Sequence, residues 1–346
     1  MVFVSLCLAL VVAAYTFRLV RRKTTPWTNH TRATGEVSSG TDDASAVILP
    51  LHDFDWRAKE PTRYLPIKPV YHITMALQRD TPSDLITIDR DYLDRITLRR
   101  RLIRQKGSAV HGCLPRGHES VCELYTYLMQ YYLPRRYPTM FKPSADGAWC
   151  ENLVTGKSFP LEPPPLATAA LGALGETVEE DFFLLHNTPE GHLCVAFMCC
   201  FSAGFDPSSK VGSLLKDIHS PVPSYDKVGA SMERFFGKLR WTIQTNDELH
   251  SLDSLIRNDT REVVPDESID PSKTLTRLPR THAVVFSFKT YMYSIRQIKE
   301  EGSGPDLADA IEGLKLGNAP GMWRYKSAVR WGKPVCEYLR SGSAST

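Results

Sequence analysis

Two apolar runs separated by a turn signal constrain this chain most. Phe182–Leu185 and Leu193–Phe201 are each long enough for one strand, and Asn187-Thr188-Pro189-Glu190-Gly191 lies between them. Pro and Gly punctuate a chain where it must reverse, so the pair reads as two neighbouring strands. Ala283–Tyr291 (AVVFSFKTY) is a further strand candidate with partial alternation. Helical patterns flank these strands. Asp89–Lys106 carries Tyr92, Leu93, Ile96, Leu102 and Ile103 among arginines, and Glu119–Tyr132 reads as a second helix that Pro134 should end. Leu166–Leu185 is helical in its first two thirds. Val211, Leu214, Leu215 and Ile218 stand at i, i+3, i+4, i+7, the stripe of a short amphipathic helix, and Asp226–Arg240 reads as another. Grouped strands with helices on either side predict an α+β fold with a largely antiparallel sheet.

The start of the chain predicts a different environment. Val2–Phe17 is uncharged, and Arg18, Arg21, Arg22 and Lys23 follow. A secretory signal places its positive charges before the apolar run, whereas here they come after it. The run is short for a span but sufficient with Arg18 snorkelling, and the positive-inside rule puts the basic flank in the cytosol. The expected organisation is a transmembrane signal-anchor over residues 1–23, a flexible linker over 24–50 rich in Thr, Ser, Asp and Gly, and a folded domain over 51–346. The expected location is a single-pass membrane protein, in the endoplasmic reticulum, with its domain in the cytosol. Such a topology leaves the sequons at Asn29 and Asn258 unmodified.

Composition excludes some functions. A net charge of +3 without a basic stripe argues against a nucleic-acid partner. The runs Arg99–Arg101 and Arg135–Arg136 read as solvated helix faces. Eight cysteines are too dispersed for a disulfide framework, and Cys199 and Cys200, inside an apolar run, read as buried thiols with no nearby basic group to lower a pKa. No G-x-G-x-x-G follows a strand, and neither a G-x-x-x-x-G-K-[ST] loop nor a G-x-S-x-G elbow occurs. The chain therefore has no recognisable nicotinamide, flavin or nucleotide site.

The sharpest candidate is Lys216-Asp217-Ile218-His219-Ser220-Pro221-Val222-Pro223, where a helix runs into a histidine and two prolines lock the backbone beyond it. A histidine held in this way can present a ring nitrogen to a metal or haem iron. It can equally do no more than satisfy the last carbonyls of its helix. His111-Gly112-Cys113 with His118-Glu119 has a zinc-like look but no second ligand pair.

Longer strings carry a resemblance. LPRRYPTMF (133–141), NLVTGKSFPL (152–161), EEDFFLL (179–185), CVAFMCCFSAGFDPSSKVGSLLKDIHSPVPSYDKV (194–228), SMERFF (231–236), TLTRLPRTHAVVFSFKTY (274–291) and LGNAPGMWRYK (316–326) resemble the haem-dependent oxidative N-demethylase-like family, over roughly residues 60–340, in the form of its fungal single-chain branch. The resemblance implies a PAS-like fold holding haem b. It also implies oxidation of a small secondary methylamine with O₂, with electrons from a separate flavin and iron–sulfur reductase. His219 is then the implied iron ligand, and Arg277 and Arg280 are implied partners of the haem propionates. The sequence departs from the family where Ile269-Asp270-Pro271-Ser272 runs almost directly into Lys273-Thr274-Leu275, shorter than in relatives. His282 also stands where relatives usually have glycine, and Ala203 disturbs a family string. These departures keep a second reading open: a PAS-like haem-binding or sensor protein with impaired turnover. A hydrolase is the third reading, and the missing motifs argue against it.

Overall fold

The computed structural model describes residues 48–62, 67–73, 77–79, 82–202, 205–238, 243–245 and 268–341. The expected anchor (1–23), nearly all of the linker and Ala203 lie outside them. Among the described residues no helix is long and apolar enough to cross a membrane.

The strands are β1 (Leu77–Arg79), β2 (His111–Cys113), β3 (Phe141–Pro143), β4 (Trp149–Asn152), β5 (Lys157–Pro160), β6 (Asp181–Thr188), β7 (Gly191–Met198), β8 (Ile243–Thr245), β9 (Ser268–Arg277) and β10 (Val284–Tyr293). The helices are α1 (Tyr92–Lys106), α2 (His118–Thr126), α3 (Leu133–Arg136), α4 (Ala167–Gly175), α5 (Leu215–Ile218), α6 (Asp226–Lys238), α7 (Ile295–Glu300), α8 (Gly304–Gly313), α9 (Met322–Tyr325) and α10 (Ala328–Arg340). The fold is α+β, as the sequence predicts. Its main sheet is antiparallel, in the order β1-β8-β9-β10-β6-β7-β2, and β3-β4-β5 form a small second sheet.

Successive residues of a strand face opposite ways, and here both faces are covered. Phe182, Leu184, Ala196 and Val285 pack against α1, α2 and α4. Phe183, Leu185, Cys194, Phe286 and Phe288 pack against α5, α6, α8 and α10. The result is helices, sheet and helices in three layers. The continuous apolar character of the two opening runs follows from this double burial.

Four sequence expectations need correction. Arg99–Arg101 is only in part a solvated face: Arg101 is exposed, but Arg99 is buried. Tyr92, Ile96, Arg99 and Ile103 are all buried, so Arg99 occupies a place in the apolar stripe of α1 while Leu93 is exposed. Pro134 does not end the second helix. The chain passes from α2 through a π-turn (Tyr127–Tyr132) into α3, where Pro134 sits in the first turn and its missing N–H costs nothing. The helix expected from Val211 is only the single turn α5. Leu214 is extended and bridges Leu193, because the backbone at Gly212 and Ser213 hydrogen-bonds Cys194 of β7. Finally, the cysteines at the end of β7 do have a basic neighbour in space, Arg99. Burial nevertheless dominates, pushing the Cys200 thiol up to about 11 and the Cys199 thiol well above its ordinary value.

Arg99 shows why a charge sits in that stripe. Its guanidinium donates to the carbonyls of Gly175 (2.9 Å), Glu179 (3.0 Å) and Glu180 (2.9 Å) and to Asp181 Oδ1 (2.6 Å). Asp181 in turn accepts from the backbone N–H groups of Cys200 (2.9 Å) and Phe201 (2.8 Å). Beside this pair, Lys289 Nζ meets Asp89 Oδ2 at 2.6 Å and Glu179 Oε2 at 2.9 Å, and Tyr291 donates to Asp89. Burial raises the Glu179 carboxyl to about 7 even though Lys289 and Arg95 pull the other way.

The turn between β9 and β10 holds His282, where the resemblance implies a glycine. His282 has φ +58°, a left-handed conformation that costs an L-residue about 1–2 kcal/mol and that glycine adopts freely. β9 itself runs unbroken from Ser268 to Arg277 in register with β10.

Removing one member of a buried ion pair leaves the other unsolvated, which costs about 3–5 kcal/mol. Arg99→Met is therefore expected to lower unfolding free energy by that amount, read as an earlier urea midpoint. An unchanged midpoint would show that the pair carries no stability.

Candidate functional site

The site is built where α5 and α6 cover the sheet. Leu214 caps α5 in an extended conformation, Leu215 and Ile218 turn into the core, and His219 is the residue that ends the turn. His219 is 1% exposed. Its Nδ1 lies 2.8 Å from the Leu215 carbonyl. A carbonyl only accepts, so Nδ1 carries the hydrogen, and in the neutral ring the lone pair then lies on Nε2. The carbonyl-satisfying role open to a helix-terminal histidine is thus performed through Nδ1. Beyond it, Val222 N–H donates to the His219 carbonyl (2.8 Å) between Pro221 and Pro223. The Tyr225 ring then stacks on the imidazole at 5.1 Å and 8°. The ring is held by packing before it and by stacking after it.

Against the sheet, Leu215, Ile218, Phe236, Phe183, Leu185, Cys194 and Phe286 enclose a wholly apolar cavity of about 10 Å³, space for about one water.

A second histidine stands in the same layer, and sequence reading missed it. His192 of β7 shares its face with Cys194 two residues on, and it is 2% exposed. Its Nδ1 lies 2.5 Å from Glu233 Oε2 of α6, and its backbone N–H also donates to that carboxylate (3.1 Å). Its Nε2 is buried and makes no hydrogen bond among the described residues. The ring edge meets Phe236 at 5.5 Å and 81°. Gly191 makes this approach possible, since a Cβ there would stand 3.1 Å from Glu233 Oε1 and φ is +125°. No local signal could have joined residues 192 and 233, which meet only because α6 folds over the hairpin. Burial pushes the Glu233 carboxyl up, but the His192 ring and backbone N–H, with the Lys216 ammonium, bring it below the usual carboxylate range.

The two arginines expected beside a cofactor separate. Arg277 ends β9 opposite Val284, whose side chain belongs to the α5–α6 face. Arg280 lies in the following turn. There the Glu123 carboxylate of α2 accepts from the backbone N–H groups of Arg280 (2.6 Å) and Thr281 (2.8 Å). The Arg280 charge acts on Cys122 of α2, lowering a thiol that burial raises. The structure thus places Arg277 on the His219 face and Arg280 beside α2. The zinc-like cluster is dispersed between β2 and α2, and among the described residues no group of three or more His, Cys, Asp or Glu side chains could hold a metal ion.

Comparison with known families gives one match. The family described as "Haem-dependent oxidative N-demethylase, alpha subunit-like" matches residues 76–336. The match spans most of the chain and includes His192, His219, Glu233, Arg277 and Arg280, and the chain belongs to this family.

A carboxyl whose folded value is depressed contributes stability that is present above its unfolded value and lost as pH falls through the folded one. Glu233→Gln is therefore expected to be less stable than the wild type near pH 7. The gap between the two should close as pH falls below the ordinary carboxylate range. Thermal unfolding of both proteins from pH 7 to pH 3 measures this, and a gap that is constant with pH would contradict it.

Proposed function

We propose that this family member is a haem-dependent oxidoreductase of the oxidative N-demethylase type, with His219 as the nitrogen ligand to the iron of haem b. The observation that carries this reading is the locked tautomer of His219. A ligating histidine commonly donates its other ring N–H to a carbonyl or carboxylate, which sets the tautomer and the ring orientation. His219 does so to Leu215, beside an apolar layer.

The sheet supports a PAS-like reading. The hairpin β6-β7 is followed by helices and then by β8, β9 and β10, and the last of these strands returns beside the first, in the order β7-β6-β10-β9-β8.

The donor chemistry fits haem, but the space does not. The enclosed cavity of about 10 Å³ is far below the several hundred Å³ of ordinary cofactor sites. Seating a porphyrin between these layers would require α5 and α6 to separate from the sheet. When bound, haem supplies the oxygen and electron chemistry that no side chain here provides. The protein's own contribution is clearer. His219 keeps its proton at Nδ1, aromatic side chains exclude water, and Arg277 stands on the right face for a propionate. Arg280 has the weaker claim to that role. A separate flavin and iron–sulfur reductase as electron donor, O₂ and a small amine as substrates, and a membrane anchor in the endoplasmic reticulum with a cytosolic domain belong to the same proposal.

The test is an absorption spectrum of the full-length protein from haem-supplemented cells. A Soret band is expected, and His219→Ala should abolish or strongly shift it while far-UV dichroism persists. A folded wild type without the band would overturn the proposal. An unchanged band in the variant would move the ligand role to another residue.

A further inference from the structure

Around Glu179 the buried charges do not balance. α1 contributes Arg95 and Arg99, and β10 contributes Lys289. The segment before α1 contributes Asp89, and the entry to β6 contributes Glu179, Glu180 and Asp181. Four carboxyls thus share three cations in the interior. The other groups that face them do not make up the difference. Burial keeps Tyr92, Tyr132, Tyr137 and Tyr291 as neutral phenols, and Cys199 and Cys200 as neutral thiols. At the rim, where water screens charge, Arg136 pairs with Asp84, and Arg100 and Lys157 pair with Glu176.

Hydrogen bonding marks where the excess lies. Asp181 accepts from Arg99 and two backbone N–H groups, and Asp89 from Lys289, Tyr291 and the Asp91 N–H. Glu180 accepts the Thr87 N–H through Oε1 (2.7 Å) and nothing through Oε2. Glu179 stands 2.9 Å from Lys289 Nζ and 3.1 Å from Arg95 Nε, yet neither contact has hydrogen-bond geometry, and both its oxygens accept nothing among the described residues. Ionised oxygens left in this way away from water are costly, and a neutral carboxylic acid avoids that cost. Burial raises both carboxyls, Glu179 to about 7, against the pull of Lys289.

We propose that the adjacent Glu179 and Glu180 carboxyls hold one proton between them, and that this proton makes the junction of α1, β6 and β10 a pH-sensitive tie. With the proton bound, three carboxylates meet three cations. When it leaves, the junction carries one uncompensated negative charge and loosens. A carboxyl whose folded value is raised contributes stability that is complete below its unfolded value and lost as pH rises through the folded one. The window therefore runs from the ordinary 4.5 up to about 7.

Urea unfolding of the full-length protein from about pH 5 to about pH 8, beside Glu179→Gln and Glu180→Gln, tests this. Each variant removes one carboxyl and keeps its shape, which leaves the other ionised against the cations. The unfolding constant of the wild type, relative to either variant, is expected to rise by up to about tenfold per pH unit inside the window and to level off above it. A purely structural role gives a ratio that is constant with pH, and a constant or falling ratio overturns the proposal. Should the variants fold poorly, infrared spectra of the native wild type decide. The carbonyl stretch of a protonated carboxylic acid should persist near about pH 6, where solvated carboxyls are ionised, and fade by about pH 8. Its absence near pH 6, or its persistence in a folded Glu179→Gln or Glu180→Gln protein, contradicts the shared proton.

Discussion

The buried pair of Arg99 and Asp181 holds this molecule in register. One guanidinium gathers the last carbonyl of α4, the two residues leading into β6 and the first carboxylate of that strand. The same carboxylate gathers the chain as it leaves β7. α1, α4 and both strands of the central hairpin are thus tied at one point, deep in the interior. A one-residue slip of β6 would turn Phe183 and Leu185 to the wrong face. It would also strand two charges without solvent, a penalty of several kcal/mol. The face that β6 and β7 present to α5 and α6, with His192 and Cys194 on it, inherits its precision from that point.

What was legible in the sequence were the patterns that depend on near neighbours. The β6–β7 hairpin was visible because Asn-Thr-Pro-Glu-Gly interrupts two apolar runs, and α1 and α6 because their stripes have helical period. Arg99 was misread because a charge at an apolar-stripe position looks solvated until its partners are known, and those partners lie about 80 residues away. Pro134 was misread as a stop because a π-turn can place a proline at the start of the next helical segment. The length of α5 was overestimated because Val211 and Leu214 have helical spacing but are used as an edge against β7.

The candidate site divides in the same way. His219 was singled out in the sequence by the prolines that follow it, and the structure adds the Leu215 carbonyl and the Tyr225 stack that hold its ring; its role as a ligand is a proposal. Arg277 and Arg280 were read together because the resemblance implied both as propionate partners, yet a strand end and the turn after it send them to different sides of the sheet. His192 was invisible, because its meaning comes from Glu233 on a helix that crosses the hairpin. His192 and His219 both lie in the layer that α5 and α6 lay over the sheet, the face to which the haem proposal assigns the ligand. The opposite face, with its dense ion pairs between α1, β6 and β10, is the structural half.

Hydrogen–deuterium exchange of the full-length protein, with and without haem, tests this division most directly. If ligand enters between α5–α6 and the sheet, exchange should change in residues 191–194 and 212–236, where those elements meet. The amides of Cys200 and Phe201, held by Asp181, should keep their protection. Changes concentrated instead in α1, α2 and α4, or loss of protection at Cys200 and Phe201 on haem addition, would place the binding face on the other side and contradict the assignment.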